Sequence, residues 1–178
     1  MSNYAIIRTD NVQATKSGNI KSGLFLVGDT ETAIENGNLV SLNGLVTGER
    51  ELFKCNAPAD VTDKDVYLVA TPELIYDEQL RSTGALDKFR NEAGQPITLI
   101  GLEKGDLVSV SDEAIVAVGD TPVVGNYVTV TKESTKWTEK ASLGGTETLV
   151  GKIIARELFK ADKYLNVIQI IQANYLLN

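Results

Sequence analysis

The chain of 178 residues contains no histidine. That absence removes the usual general base at neutral pH, the commonest zinc ligand and the main pH switch, and it excludes every catalytic triad built on an imidazole. There is one cysteine, Cys55, so neither an intramolecular disulfide nor a thiolate cluster for zinc can form. No window approaches the roughly 20 consecutive apolar residues of a membrane span. The opening residues, Met1 to Arg8, lack a basic stretch leading into a long apolar run. Positive charge is also scarce: 17 Lys and Arg stand against 24 Asp and Glu, for a net charge of -7. Spread along the chain, that balance disfavours nucleic-acid phosphates and anionic membranes as partners. These features are those expected of a protein made and folded in a cytosol.

What is present is a β pattern. With 43% apolar residues, a chain of this length can build one substantial domain, burying about 70% of its unfolded surface. Residues 1–22 read as an N-terminal arm or extended segment, because the short apolar run Tyr4 to Ile7 gives way to the polar stretch Arg8 to Lys21. Residues 23–178 read as a single β-rich domain. Its first strand is the apolar run Gly23 to Val27, closed by Gly28-Asp29-Thr30. The stretch from Ile34 to Pro58 then organises the rest: Asn38 to Leu42 alternates, Asn43-Gly44 is a turn signal, and Glu51 to Cys55 alternates again after Thr47-Gly48. Ala57 to Lys64 is a loop, and Val66 to Ala70 a buried-type strand stopped at Thr71-Pro72.

Leu74 to Glu92 changes character, and Thr83 is placed to cap a short helix over Ala85 to Ala93, ended by Gly94 and Pro96. Strands return at Ile97 to Ile100, Leu107 to Val110, Ala114 to Val118, Asn126 to Thr131 and Thr135 to Lys140. Two longer runs finish the chain, Thr148 to Phe159 and Leu165 to Ala173, joined by a turn at Ala161-Asp162-Lys163. The expected fold is mainly β: a β-sandwich or barrel-like domain of about ten short strands with one short helix. Arg-Glu-Leu-Phe-Lys occurs at Arg50 and again at Arg156, and Gly-Asp-Thr at Gly28 and Gly119. Duplication and recurring strand chemistry both account for these echoes.

Few residues invite a chemical reading. Glu31, Glu35, Asp60, Asp63, Asp65, Asp77 and Glu78 are available for a carboxylate pair, yet acids in turns are ordinarily solvated. Asp60 to Asp65 offers three carboxylates at close spacing, but it lacks the central glycine and closing glutamate of a calcium loop and holds Lys64 among them. Gly144-Gly145 stands outside any phosphate-binding pattern and reads as a turn. Trp137, in an otherwise polar strand, is either an exposed platform for a sugar or a partner, or a buried residue lying across a sheet edge; alternation favours the second. Cys55 reads as core filler on its strand. Accordingly no catalytic, cofactor-binding or metal-binding residue is assigned, no cofactor is expected, and the chain is read as not an enzyme.

A series of short motifs runs in order through residues 34 to 113: Ile34-Glu35-Asn36-Gly37-Asn38-Leu39-Val40; Gly48-Glu49-Arg50-Glu51 leading to Ala57-Pro58; Pro72-Glu73-Leu74-Ile75-Tyr76-Asp77; Phe89-Arg90-Asn91-Glu92-Ala93-Gly94; and Leu102-Glu103-Lys104-Gly105-Asp106. The series resembles the capsid decoration, or auxiliary head, proteins of tailed bacteriophages. The resemblance covers a little under half of the chain, and Val150 to Ile154 before a final strand is compatible with it. It implies a non-enzymatic structural protein of the virion, made in the bacterial host cytoplasm and bound in many copies to the outer capsid surface. There it would reinforce contacts between major capsid proteins. The implied partners are the major capsid protein and further copies of the chain, with a trimer among the forms of self-association. Nucleic acid and membrane are not expected partners. A tail or baseplate structural module and a carbohydrate-binding module are the alternative readings.

Overall fold

Period-2 alternation and glycine punctuation build strands along almost the whole chain. The computed structural model describes residues 4–8, 19–73, 88–160 and 163–173. The strands are β1 (Ile20–Val27), β2 (Thr30–Glu31), β3 (Leu39–Leu45), β4 (Leu52–Asn56), β5 (Val66–Val69) and β6 (Ile97–Gly101), followed by β7 (Leu107–Ser111). A 3-10 turn over Asp112–Ala114 leads to β8 (Ile115–Val116), β9 (Tyr127–Thr131), β10 (Ser134–Lys140), β11 (Leu149–Lys160) and β12 (Lys163–Ala173). The fold is mainly β, as expected, and it resolves into a five-stranded barrel and a curled half-barrel sheet.

The barrel runs β1-β4-β3-β5-β6 and closes through antiparallel pairing of β6 with β1, while β2 hangs from β1 as a short hairpin. Closure leaves these strands with no free edge. One pair, β1 with β4, is parallel, with Gly23 beside Phe53 and Phe25 beside Cys55. Gly23 sits where strands crowd: a Cβ there would lie 2.6 Å from Leu99 Cδ1. The second sheet is open, in the order β7-β12-β11-β9-β10-β8.

Two cores follow from this arrangement. Phe25, Ile34, Val40, Cys55, Val69, Ile97 and Leu99 fill the barrel. The larger core lies between the outside of the barrel and the second sheet, where Leu39, Val66 and Leu68 meet Val108, Val128, Trp137, Ile153 and Ile168. Neighbours on one strand therefore serve different cores, Leu39 the outer and Val40 the inner. Strands covered on both faces read as unbroken apolar runs, which is why Val66 to Ala70 does not alternate. Each fully buried Leu or Ile stabilises the fold by roughly 2 kcal/mol.

Residues Ala5, Ile6 and Ile7 are each only 1% exposed. They cover the outer edge of β7: Ile7 bridges Val110, Ser111 N–H donates to Ile6 O at 2.8 Å, and Arg8 N–H donates to Ser109 O at 3.1 Å. Within the expected arm 1–22, then, residues 5–8 dock on the second sheet and Ile20 to Ser22 open β1; residues 9–18 lie outside the described ones.

The segment Ile34 to Asn38 joins several parts of the fold. Ile34 bridges Asn91, and Gly37, with φ 82°, donates its N–H to Val69 O at 2.8 Å. Across 100 residues, Trp137 Nε1 donates to Gly37 O at 3.0 Å. Asn36 Oδ1 accepts from Thr71 N–H and Asn91 Nδ2, both at 3.1 Å, and Asn36 Nδ2 donates to Thr71 O at 2.9 Å.

Three local expectations need correction. Asn43-Gly44 does not turn the chain: β3 continues to Leu45 with a register shift against β4, and Asn43 Nδ2 donates to Asn56 Oδ1 at 2.6 Å. The turn comes later, at Thr47-Gly48, where Gly48 has φ 89°. The strand expected from Ala114 to Val118 shrinks to Ile115–Val116, because the 3-10 turn precedes it.

Of the helix expected over Ala85 to Ala93, residues 85–87, together with its cap Thr83, lie outside the described residues. The remainder is not α-helical. Asn91 and Ile34 exchange backbone hydrogen bonds at 2.9 Å each, which takes the groups that a helix would use. Residues 161–162 of the expected last turn also lie outside the described ones. No helix among the described residues is long and apolar enough to cross a membrane.

Candidate functional site

The acidic loop Asp60 to Asp65 borders a cleft of about 520 Å³ together with Ser41, Asn43 and Asn56. Two of its three carboxylates are engaged by nearby donors. Asp63 Oδ2 accepts from Ala59 N–H at 2.6 Å and from Ser41 Oγ at 3.0 Å, and Asp60 Oδ1 accepts from Thr62 N–H at 3.3 Å. The loop is also tied to the second sheet, through Glu133 N–H to Pro58 O at 2.7 Å and Thr148 N–H to Val61 O at 3.1 Å. Among the described residues no three Cys, Asp or Glu side chains converge as a metal site would require. Glu35 is drawn away to the N-terminal segment, its Oε2 accepting from Ala5 N–H at 2.8 Å. Glu31 lies exposed on β2, and Asp77 and Glu78 fall outside the described residues.

Gly144-Gly145 does cradle an anion, and the anion is the chain's own. Glu147 is buried, and its carboxylate accepts from Gly144 N–H at 2.9 Å, Gly145 N–H at 2.8 Å, Thr146 N–H at 3.0 Å and Lys140 Nζ at 3.2 Å. These donors, Gly144 first, hold its carboxyl down at about 2, against burial that acts to raise it. In sequence nothing sets Glu147 apart from other acids near a Gly-Gly turn. Glu139 plays a similar part on β10. Also buried, it accepts from Val118 N–H and Val123 N–H, both at 2.9 Å, and from Asn126 Nδ2 at 2.7 Å.

One carboxylate thus closes both ends of the loop between β8 and β9. The loop so braced exposes three valines, Val118, Val123 and Val124, each more than half accessible. A second exposed apolar strip lies on β11. That strand pairs with β9 only over Val150 to Lys152, so from Ile154 onward it has β12 as its one strand neighbour among the described residues. Ile154 and Leu158 are exposed there. Exposed apolar side chains of this kind are what protein–protein interfaces commonly cover.

Trp137 and Cys55 are not part of any surface. Trp137 is fully buried with its indole N–H satisfied, so it presents no platform. Cys55 is buried inside the barrel, and burial pushes its thiol up to about 12.

A smaller cleft of about 230 Å³ lies where residues of the barrel meet Tyr4, Arg90, Thr135 and Lys136. Phe25 and Ile34, members of the barrel core, line it. Glu35, Arg90, Thr135 and Lys136 stand around it, and the Arg90 guanidinium lies 5.5 Å from the centroid of the Tyr4 ring. Asn38 also lines the cleft. It is 4% exposed, and its Oδ1 has no hydrogen-bond partner. The sequence carried no sign of this, since Asn38 reads there as an ordinary strand-entry residue. No protein-family model matches the chain, and no curated protein matches it either.

Proposed function

We propose that this chain is a capsid decoration protein of a tailed bacteriophage: a non-enzymatic structural protein that binds the outer face of the head and reinforces contacts between major capsid subunits. The observation that carries the reading is the ordered motif series through residues 34 to 113. Two of its members lie at joints of the fold. Ile34 to Asn38 links the barrel to β10 through Trp137, and Lys104-Gly105-Asp106 is pinned to β12 by Gly105 N–H to Ile170 O and Ile170 N–H to Asp106 O, at 2.8 and 2.9 Å. Motifs that set joints specify one particular assembly of barrel and sheet.

Two features suit such a role. The net charge of -7 is unsuited to gripping packaged nucleic acid. The braced valine loop and the exposed strip on β11 supply preformed apolar contacts. Sites on a lattice arise where subunits meet, so a modest contact area per copy links several subunits, and repeated or oligomeric attachment adds avidity.

Binding to mature heads should greatly exceed binding to isolated capsid subunits. Heads lacking the protein should still form but rupture more readily on heating or osmotic shock, and added protein should restore their resistance, because a ligand stabilises the state it binds. A cosedimentation titration with undecorated heads, followed by imaging, tests this. Saturable occupancy of regular capsid positions is the expected result. Labelling confined to tails, or no binding, would overturn it.

A further inference from the structure

We propose that Asn43 is a site of spontaneous covalent modification: its side chain cyclises onto the Gly44 nitrogen with loss of ammonia and reopens as aspartate or isoaspartate. This inference is independent of the capsid reading. Asn-Gly occurs twice in the chain, at Asn36-Gly37 and at Asn43-Gly44. Glycine favours the reaction in both, because without a Cβ its nitrogen can come close to the preceding side chain. In sequence the two sites are equivalent, and the fold makes them opposites. Asn36 is fully buried; its Oδ1 accepts from Thr71 N–H and Asn91 Nδ2, both at 3.1 Å, and its Nδ2 donates to Thr71 O at 2.9 Å. Gly37 N–H, which would have to attack, donates to Val69 O at 2.8 Å. Both reacting groups are held in place and shut off from water.

Asn43 and Gly44 are both exposed. A regular strand would hold the glycine nitrogen away from the side chain, but the ladder is broken here. β3 pairs with β5 only as far as Ser41, and its register against β4 slips between Leu42 and Leu45, so neither Asn43 nor Gly44 has an opposed residue. Such a bulge departs from extended geometry, and weakly held strand segments open locally. Asn43 Nδ2 does donate to Asn56 Oδ1 at 2.6 Å, a single exposed bond where Asn36 has several buried ones. The Gly44 nitrogen attacks Asn43 Cγ to form a C–N bond; the bond from Cγ to Nδ2 breaks, and ammonia leaves with the proton that the Gly44 N–H gives up. Water then opens the cyclic imide at either carbonyl. The product alters the site. A carboxylate at position 43 has no N–H for Asn56 Oδ1, and Asn56 cannot turn its amide over without giving up the bond from its Nδ2 to Leu26 O at 2.9 Å. Asn43 also lines the cleft of about 520 Å³, where Asp63 and Asp65 stand against Lys64, so conversion adds a further negative charge there.

Asn36 and Asn43 fall on one tryptic peptide, Ser22 to Arg50, so a single fragmentation spectrum compares them. The full chain, kept native in mildly alkaline buffer and digested at intervals, should gain the amide-to-acid mass at residue 43 while residue 36 stays unchanged. The product should contain both aspartate and isoaspartate, the mark of the cyclic intermediate. In urea the two sites should convert at similar rates, since only the fold separates them. Gly44→Ala should slow conversion about tenfold. It should leave the fold intact, because Gly44 is not among the glycines of positive φ and a Cβ there would meet nothing within 4 Å. The proposal is overturned by no conversion at residue 43 over a period in which the unfolded chain converts, by equal conversion of residues 36 and 43 in the native protein, by aspartate without isoaspartate, or by a Gly44→Ala protein that converts as fast as wild type.

Discussion

Replacing Glu147 by glutamine should destabilise the protein by about 3 kcal/mol at neutral pH. The side chain is 3% exposed and accepts three backbone N–H groups and the Lys140 ammonium. Those donors bring its carboxyl from an ordinary 4.5 to about 2. At about 1.4 kcal/mol for each pH unit, that interval corresponds to about 3 kcal/mol of preference for the ionised form in the folded protein. A glutamine keeps one acceptor oxygen and turns an NH2 toward backbone N–H groups, so the cradle is left partly unpaired.

The pH dependence distinguishes this cause from simple loss of packing. A carboxyl depressed on folding contributes stability that is present above about pH 4.5 and is lost as pH falls toward about 2. Urea unfolding, followed by the emission of Trp137, should show the full difference between wild type and variant at pH 7. By pH 3 about 2 kcal/mol of it should be gone. A difference that does not change over this range, or one below about 0.5 kcal/mol at pH 7, would refute the assignment of Glu147 as an ionised anchor.

Cys55 should resist thiol reagents in the native protein and react on unfolding. Because its thiol is raised from 9.0 to about 12 by burial, the unfolded chain loses that proton first, so stability should fall as pH rises from 9 toward 12; rapid native-state labelling would contradict the barrel-interior placement. Adding a chelator should leave the melting temperature nearly unchanged, since Asp63 in the acidic loop is already engaged by Ala59 N–H and Ser41 Oγ; a large fall reversed by calcium would show that the loop holds a metal. Gly151→Ala should cost about 1–3 kcal/mol in urea unfolding, because its Cβ would sit 2.3 Å from Ile168 Cγ2 and 3.0 Å from Val128 Cγ2 within the second sheet. A variant as stable as wild type would mean that β9, β11 and β12 pack less closely than described.

The sequence by itself determined the class of the fold and the course of most strands. Alternation from Glu51 to Cys55 and from Thr135 to Lys140 became β4 and β10, and the unbroken apolar run Val66 to Ala70 became the doubly covered β5. These features are local: a side-chain period of two, or a glycine after a strand, is complete within a few residues. The absence of histidine and the single buried-type cysteine likewise needed no structure to interpret.

Tertiary structure alone decided the rest. Nothing within a short window states that β1 runs parallel to β4 and closes on β6, because that depends on which sheet faces complement each other across long separations. The same holds for Trp137, whose ambiguity between platform and core ended only when a carbonyl 100 residues away accepted its N–H. It holds for Glu139 and Glu147 too. In sequence they are ordinary acids, and their burial follows from backbone N–H groups that loop geometry turns inward. Asn38 is the extreme case. Whether an asparagine at the start of a strand is solvated, paired or buried without a partner is set by everything that closes around it, and residues as far apart in the chain as Phe25 and Thr135 line one cleft with Asn38.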